Sequence, residues 1–419
     1  MPEILKIPAT QKSDTSYIII DTPYKTYNRT RMLEPARRIS KISEYYFSRK
    51  LKEVARMNAE GKDIISLAIG SPDLPPSKAT IDTLCSEVQK ENAHGYVPTK
   101  GLKELREGMS RFYARHFGVN LDAETEIQPL IGSKEGILYV TLAFANQGDT
   151  VLIPDPGYPT YTAVNNLMEV NVVKYPLLEN NRWQPDFDFL EALDYTNVKI
   201  IWTNYPNMPT GARAELETFE RLLDLARRKN VLVVNDNPYS FILNKERLSI
   251  LQLPEAKDFC LEFNSMSKSH NMPGWRVGMI AGKAEYINWL LRAKSNIDNG
   301  TFRPMQLAAA AALENDDAWH EENNYTLYAR RRRKAEEIMD LLQCKYDTNS
   351  VGMFLWGRIP DEYQDCEDLT ERILHEARVF VTPGFIFGEC GRRYIRISLC
   401  ANEEKFDEAI KRIRKYLGK

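Results

Sequence analysis

The chain has 419 residues, of which 43% are hydrophobic and 27% charged, and its formal net charge is -2. This length predicts two or three domains with a substantial core, and the composition is that of an ordinary globular protein. The balanced charge gives no electrostatic footprint for nucleic acid or for an anionic membrane surface, so partners of those kinds are not expected.

Six scattered cysteines and five histidines show no metal-ligand spacing, so reduced thiols and no metal site are expected. No stretch approaches the ~20 apolar residues that a membrane helix needs, and the first residues lack the basic and apolar regions of a signal peptide. A cytoplasmic location is the resulting expectation.

The N-terminal 30 residues are polar and lack sustained periodicity, so we interpret them as an arm, either packed on a partner subunit or free. Residues 39–60 alternate charged and apolar side chains at helical spacing, and Gly61 is placed to end that helix.

Short apolar runs rich in β-branched residues then alternate with amphipathic segments. This alternation predicts an α/β domain with a mainly parallel, seven-stranded sheet, whose ligands bind beyond the carboxyl ends of the strands. The seven runs are residues 127–131, 151–153, 172–175, 199–203, 231–235, 260–264 and 277–281.

After Met305 the pattern predicts a smaller α+β domain. Its helices are expected at 306–314, 316–342 and 403–416, and its strands at 353–356, 379–381 and 394–399. The predicted organisation is an arm (1–30), the N-terminal part of the small domain (31–66), the large domain (67–305) and the C-terminal small domain (306–419).

Lys268 is the most informative residue, because it follows two serines and precedes Arg276 by eight positions. Lysine forms imines with carbonyl compounds when burial or a nearby cation makes its amine neutral. Ser265 and Ser267 can donate hydrogen bonds to an anion, and the Arg276 guanidinium matches phosphate oxygens. The alternative is a solvated loop lysine.

Two further strand ends carry candidate ligand groups. Ser133 and Lys134 begin a helix after Gly132, a position where free amides bind phosphate, although a serine cap without a ligand is the alternative. Asp236 ends an apolar strand and would pair with a protonated pyridine nitrogen, with Tyr239 beside the same ring. The alternative for Asp236 is a cap of the next helix.

Tyr158 and Arg396 complete the set. Tyr158, held between prolines and glycine, can stack on a planar ring or pack on the core as a turn aromatic. Strand alternation sets Arg396 on a part-buried face, where it requires either a ligand carboxylate or a structural acid. Together these residues would suit a ligand with a phosphate, a protonated ring and an aldehyde, with a carboxylate alongside. Pyridoxal phosphate and an amino acid supply all four groups.

From about residue 35 to the C-terminus the chain resembles the fold type I pyridoxal-phosphate enzymes, specifically the class I and II aminotransferases of the aspartate aminotransferase group. The resemblance rests on the order and spacing of motifs at residues 67–75, 95–101, 132–135, 206–211, 236–239, 265–276 and 396–398.

The resemblance implies that Lys268 holds the cofactor as a Schiff base and shuttles the substrate proton, and that Arg396 binds the substrate carboxylate near the backbone of Gly70. It also implies that Tyr96 reaches the phosphate from a neighbouring subunit, and therefore a homodimer. The cofactor-binding residues it implies are Tyr96, Ser133, Lys134, Tyr158, Asn207, Asp236, Tyr239, Ser265, Lys268 and Arg276.

One departure concerns residue 208, where the family usually has an asparagine and this chain has methionine. Methionine cannot donate a hydrogen bond. Either Asn207 or Asn204 supplies the missing contact, or Tyr239 alone contacts the ring oxygen.

The expected function is transfer of an amino group between an amino acid and a 2-oxo acid, in two half-reactions through the pyridoxamine form of the cofactor. The alternatives are a carbon-sulfur β-lyase and a non-catalytic cofactor-binding regulator. Residues 296–304 resemble a segment of the branch containing alanine, aspartate and LL-diaminopimelate aminotransferases. Arg303 is either a partner for a substrate carboxylate or a solvent-facing residue, and Tyr45 and Tyr46 are candidate lid residues.

Overall fold

We describe residues 33–40 and 46–419 in a computed structural model of the protein. The predicted arm (1–30) and Tyr45 lie outside the described residues. None of the helices within the described ranges is long and apolar enough to cross a membrane. All six cysteines are free thiols.

The core of the larger domain is a seven-stranded sheet in the order β2-β8-β7-β6-β5-β3-β4. Only β8 runs against its neighbours, so the sheet is mainly parallel, as predicted. Its strands are β2 (Ile127–Leu130), β3 (Thr150–Asp155), β4 (Asn171–Pro176), β5 (Val198–Thr203), β6 (Leu232–Asp236), β7 (Cys260–Ser265) and β8 (Gly278–Gly282).

The central strands β6 and β7 are buried along their whole length. Strands covered on both faces have continuous apolar runs rather than alternation, which is why these central strands could be recognised in the sequence. The edge strand β4 is partly exposed and was recognised from its short β-branched run. The boundaries differ from the predicted ones by a few residues at most.

The smaller domain contains a four-stranded antiparallel sheet and a two-stranded parallel ladder. The ladder pairs Ile65 with Val379, which ties the segment before the large sheet to the C-terminal part of the chain. These strands are β1 (Ile65–Ser66), β9 (Lys345–Tyr346), β10 (Phe354–Arg358), β11 (Val379–Phe380), β12 (Thr382–Pro383) and β13 (Tyr394–Ser398).

The α-helices cover both faces of the large sheet and one face of the small one. They are α1 (Arg37–Ser40), α2 (Tyr46–Ala59), α3 (Lys78–Glu87), α4 (Lys103–Phe117), α5 (Ser133–Phe144), α6 (Pro159–Leu167), α7 (Phe187–Ala192), α8 (Leu216–Lys229), α9 (Met266–Ser269), α10 (Ala284–Lys294), α11 (Arg303–Ala312), α12 (Asp317–His320), α13 (Leu327–Leu341), α14 (Cys366–Arg372) and α15 (Glu403–Tyr416).

Two helical regions differ from the sequence expectation. The helix predicted over 316–342 is divided into α12 and α13 by a π-helical segment, Glu321–Thr326. Helix α11 packs against α3 and α4, which belong to the stretch assigned to the large domain. The exact domain boundaries stay a prediction.

Candidate active site

A cavity of about 320 Å³ lies beyond the carboxyl ends of the parallel strands and is lined by residues of both sheets. Of the residues predicted to bind cofactor or the α-carboxylate, it brings together all except Tyr96 and Asn207, namely Gly70, Ser133, Lys134, Tyr158, Asp236, Tyr239, Ser265, Lys268, Arg276 and Arg396. The remaining lining residues are Asn204, Met208, Pro238, Ser267, Pro273, Phe354 and Phe387.

Lys268 lies on α9, a single helical turn that begins directly after β7. The Ser265 hydroxyl caps this turn by accepting a hydrogen bond from the Ser267 amide. The Lys268 Nζ donates to the Gly70 carbonyl oxygen at 2.6 Å. Burial lowers the pKa of the Lys268 ammonium, and the positive charges of Arg396 and Arg276 act in the same direction. The surroundings therefore favour the neutral amine that imine chemistry requires.

Asp236 ends β6 and is buried. Its Oδ2 accepts a hydrogen bond from the Tyr161 hydroxyl at 3.0 Å, whereas its buried Oδ1 has no partner among the described residues. Burial raises the pKa of the Asp236 carboxyl from 3.8 to about 6; the hydrogen bond from Tyr161 opposes this rise and the charge of Glu262 adds to it. A protonated pyridine nitrogen fits the free oxygen, because it would supply both a donor and a positive charge.

The opposite end of the cavity contains the kinds of groups that bind an anion. Helix α5 begins at Ser133 after Gly132, whose φ of 72° is a conformation that glycine adopts readily. The Arg276 guanidinium lies so close that a Cβ on Gly132 would be 2.2 Å from its Nη2. Arg276 donates to the carbonyl oxygens of Pro273 at 3.0 Å and Ile131 at 3.3 Å. Helix amides, hydroxyls and two cations therefore converge where a phosphate would bind.

Two tyrosines flank the space between Asp236 and Lys268. Tyr158 is half-buried and meets the Tyr161 ring edge-on, with centroids 5.7 Å apart. Tyr239 meets the Phe354 ring edge-on at 5.9 Å, and burial raises the pKa of its phenol. The Tyr239 hydroxyl is thus held as a neutral donor.

Arg396 is held between two aromatic rings on the other side of the cavity. Its guanidinium carbon lies 4.0 Å from the centroid of Phe354 and 4.6 Å from that of Phe387. Its Nη2 donates to the Ala68 carbonyl oxygen at 2.9 Å, and its Nη1 donates to the Met208 sulfur at 3.3 Å. Gly70 faces the same Phe354 ring, and a Cβ there would be 2.4 Å from Phe354 Cζ.

The two asparagines proposed to replace the missing donor are in different places. Asn204 lines the cavity, donates to the Asp236 carbonyl oxygen and accepts from the Met208 amide at 2.8 Å. Asn207 does not line the cavity, because its amide bonds within the turn to Asn204 and Thr210. The geometry thus offers Asn204, rather than Asn207, to a ligand.

Three other predicted positions lie away from the cavity. Tyr96 is 93% exposed. Arg303 begins α11 and is not among the lining residues. Tyr46 donates to Glu367 at 3.1 Å and packs edge-on against Phe385 at 4.9 Å.

Sequence reasoning missed Tyr161, Phe354 and Phe387. Strand alternation contained a signal for Phe354, because β10 and β13 pair Phe354 with Ser398 and Trp356 with Arg396. Residues at such spacing share a face of the sheet. Tyr161 and Phe387 carried no comparable signal, since helix geometry and a loop path decide what they contact.

The family described as "Aminotransferase class I and II" matches residues 62–413 of this chain. The chain belongs to this aminotransferase family. It is similar to the LL-diaminopimelate aminotransferase of Dehalococcoides mccartyi (strain BAV1), with 37% identity over 91% of this chain and 98% of the relative. Similarity to the enzyme of the same name from Moorella thermoacetica is 38%, over 92% of this chain and 99% of the relative.

Solved structures of this family have the same fold. Substrate-bound BacF from Bacillus subtilis superposes with a TM-score of 0.86 and 31% identity, covering 92% of this chain and 98% of that chain. Aspartate aminotransferase from Thermotoga maritima gives 0.84 and 26%, covering 92% and 100%. The aminotransferase uses pyridoxal phosphate to move an amino group between an amino acid and a 2-oxo acid, as the sequence predicted.

Proposed function

We propose that this aminotransferase acts on an amino donor of the LL-diaminopimelate kind, with Lys268 as its proton carrier and Asp236 as the partner of the cofactor ring. The observation that carries this assignment of roles is the buried Asp236 Oδ1, which lacks a hydrogen-bond partner within the described ranges and belongs to a residue that lines the cavity containing Lys268. A buried carboxylate oxygen without a partner is costly unless a ligand completes it.

When bound, pyridoxal phosphate supplies an aldehyde that takes up the amino group and a ring that accepts the electrons left on the substrate carbon. Asp236 would hold a proton on the ring nitrogen and so keep the ring able to accept those electrons. Tyr158 would stack on the ring and Tyr239 would donate a hydrogen bond to the ring oxygen. Ser133, Lys134, Ser265 and Arg276 would bind the phosphate.

The substrate's α-carboxylate is assigned to Arg396, whose guanidinium is fixed by two aromatic rings and the Ala68 carbonyl oxygen. This fixes the Cα–H bond relative to Lys268. The Lys268 amine would then take the proton from the substrate Cα and deliver it to the carbon of the cofactor's aldehyde group, since a neutral lysine can act as a base. The Gly70 carbonyl oxygen, 2.6 Å from Nζ, orients that amine.

The choice of donor rests on relatives that match this chain over 91% of its length and carry the name LL-diaminopimelate aminotransferase. A donor of that kind has a carboxylate and an amine at each end, so one end would occupy the Arg396 site. Biosynthesis or breakdown of amino acids is the corresponding metabolic setting.

We further propose that the protein is a cytoplasmic homodimer in which Tyr96 completes the phosphate site of the partner. The exposure of Tyr96, 93%, supports a role outside its own subunit. Six free cysteines support a reducing compartment.

Replacement of Lys268 by alanine tests the assigned roles. We expect turnover with LL-diaminopimelate and a 2-oxo acid to be abolished, and the visible absorption of the bound cofactor to change, because the amine that holds it is gone. Lys283→Ala, a surface lysine paired with Asp258 at 2.8 Å, is the matched control. Unchanged turnover in the Lys268 variant would overturn the proposal.

A further inference from the structure

A second cavity of about 750 Å³, which we call the vestibule, adjoins the catalytic cavity. The two share Lys134, Tyr158 and Phe387 as walls. These shared walls place the vestibule directly beside the catalytic cavity, on the side of Tyr158 and Lys134. Phe385 adds an apolar wall that suits methylene groups.

The charged groups of the vestibule are predominantly positive. Arg49, on α2, is exposed; its guanidinium carbon lies 5.6 Å from the centroid of the Tyr46 ring, and it forms no ion pair with a carboxylate among residues 33–40 and 46–419. Lys174 lies 3.5 Å from Asp155. The remaining acid, Glu389, is already paired with Arg392 at 2.5 Å.

Within the described part of the chain, Arg49 is therefore the vestibule cation without an assigned anionic partner. Lys134 stands at the junction of the two cavities and is assigned to the phosphate, whereas Lys174 already has an acid beside it. A guanidinium without a partner can bind a carboxylate with two parallel hydrogen bonds and displaces no existing ion pair in doing so.

We propose that the vestibule is a binding subsite for a carboxylate at the far end of the substrate side chain, with Arg49 as its anchor. This inference rests on the proposed function and deepens it: the enzyme selects amino acids with an aliphatic side chain ending in a carboxylate. Arg49 acts in substrate selection and takes no part in the proton transfer at Lys268.

LL-Diaminopimelate and L-lysine form a matched pair, because lysine is diaminopimelate without the distal carboxylate. We expect Arg49→Gln to lower kcat/KM for diaminopimelate about tenfold or more, the effect of losing a charge-assisted hydrogen bond. The effect on lysine should be much smaller. Arg49→Lys, which keeps the charge but loses the planar fork, should give an intermediate value.

Arg56→Gln on the same helix is the control, since Arg56 is exposed and lies 3.9 Å from Glu60. It should leave the ratio of the two substrates unchanged. An equal loss for both substrates in Arg49→Gln, or no loss for either, would overturn the inference.

Equilibrium binding separates this inference from the proposed function. Pimelate and heptanoate have the same chain length, but only pimelate has a second carboxylate. Their dissociation constants are measured on the holoenzyme from the change in cofactor absorption. Arg49→Gln should weaken pimelate about tenfold and heptanoate much less, whether or not diaminopimelate is turned over; equal weakening, or none, rejects the subsite.

Discussion

The two ends of the catalytic cavity are built in different ways. The cofactor end uses residues that directly follow large-sheet strands, such as Ser133 after β2 and Asp236 at the end of β6. The carboxylate end joins residues far apart in the chain, since Gly70, Met208 and Arg396 meet there around Phe354. The first end depends on local sequence motifs, whereas the second depends on how two domains pack.

The departure of this chain from its family, Met208, lies at the carboxylate end of the cavity rather than at the cofactor end. In the proposed assignment Asp236 and Arg276 each provide a charge to the cofactor and Lys268 provides a neutral amine, so none of the three has a chemical substitute. Met208 occupies a position where a sulfur accepts from Arg396 at 3.3 Å and the neighbouring Asn204 still offers an amide. A change at the carboxylate end can therefore be absorbed by its neighbours.

After the loss of Lys268, the largest effect that we expect at the cofactor end comes from Asp236→Asn. Removing the carboxylate leaves the ring nitrogen without its charged partner, and kcat should fall on the order of a hundredfold to a thousandfold. Steady-state kinetics with LL-diaminopimelate measure this. Asp258→Asn, an exposed acid paired with Lys283, is the control and should have no such effect.

Asp236→Asn should also change how the stability of the cofactor-free protein depends on pH. The pKa of Asp236 is raised from 3.8 to about 6. Between about pH 4 and 6 the folded state therefore retains a proton that the unfolded chain has lost. Because of this difference, the free energy of unfolding falls as pH rises from about 4 to 6. Above pH 6 the cost is about 3 kcal/mol. Chemical unfolding should therefore show Asp236→Asn to be stabilised at pH 7.5 but not near pH 4. Equal effects at both pH values would contradict this cause.

Two glycine-to-alanine variants, one at each end of the cavity, should have smaller effects and test whether the two ends act separately. In Gly132→Ala the added Cβ displaces the Arg276 guanidinium, 2.2 Å away, and cofactor affinity should fall on the order of a hundredfold. In Gly70→Ala the Cβ displaces Phe354, 2.4 Å away, so KM for the amino acid should rise about tenfold with a smaller change in cofactor affinity.

Cofactor titration and substrate kinetics on both variants test this separation. The control is Gly108→Ala in α4, where the nearest atom to the new Cβ is Leu313 Cδ1 at 3.4 Å, an ordinary contact. Indistinguishable effects of Gly132→Ala and Gly70→Ala on the two affinities would show that the ends do not act separately.

The same difference decides how much the sequence could predict. All seven strands of the large sheet were predicted from short apolar, β-branched runs, which are continuous in buried strands such as β6 and β7, and Asp236 and Ser133 were found beside strand ends. Phe387 was not found, because it lies at the end of the short 3-10 helix Gly384–Phe387, and no local period of the sequence indicates that this turn brings its ring to Arg396.

In the turn containing Met208, the sequence alone could not show which of two asparagines lines the cavity. Asn204 and Asn207 have the same side chain and are three positions apart, so composition and spacing could not decide between them. The turn directs the Asn207 amide inward to Thr210 and leaves Asn204 on the cavity wall. Only the path of the backbone separates them.

Met208→Leu is the mildest change that we propose at the carboxylate end, and it should have the smallest effect on the kinetics. Leucine preserves the volume but removes the sulfur that accepts from Arg396 Nη1, so the guanidinium is held less firmly. We expect KM for the amino acid to rise about threefold, or ~0.6 kcal/mol, with cofactor affinity unaltered. Met109→Leu, the same exchange in the core of α4, is the control. A loss of cofactor affinity instead would mean that Met208 serves the cofactor end, and the division between the two ends would have to be redrawn.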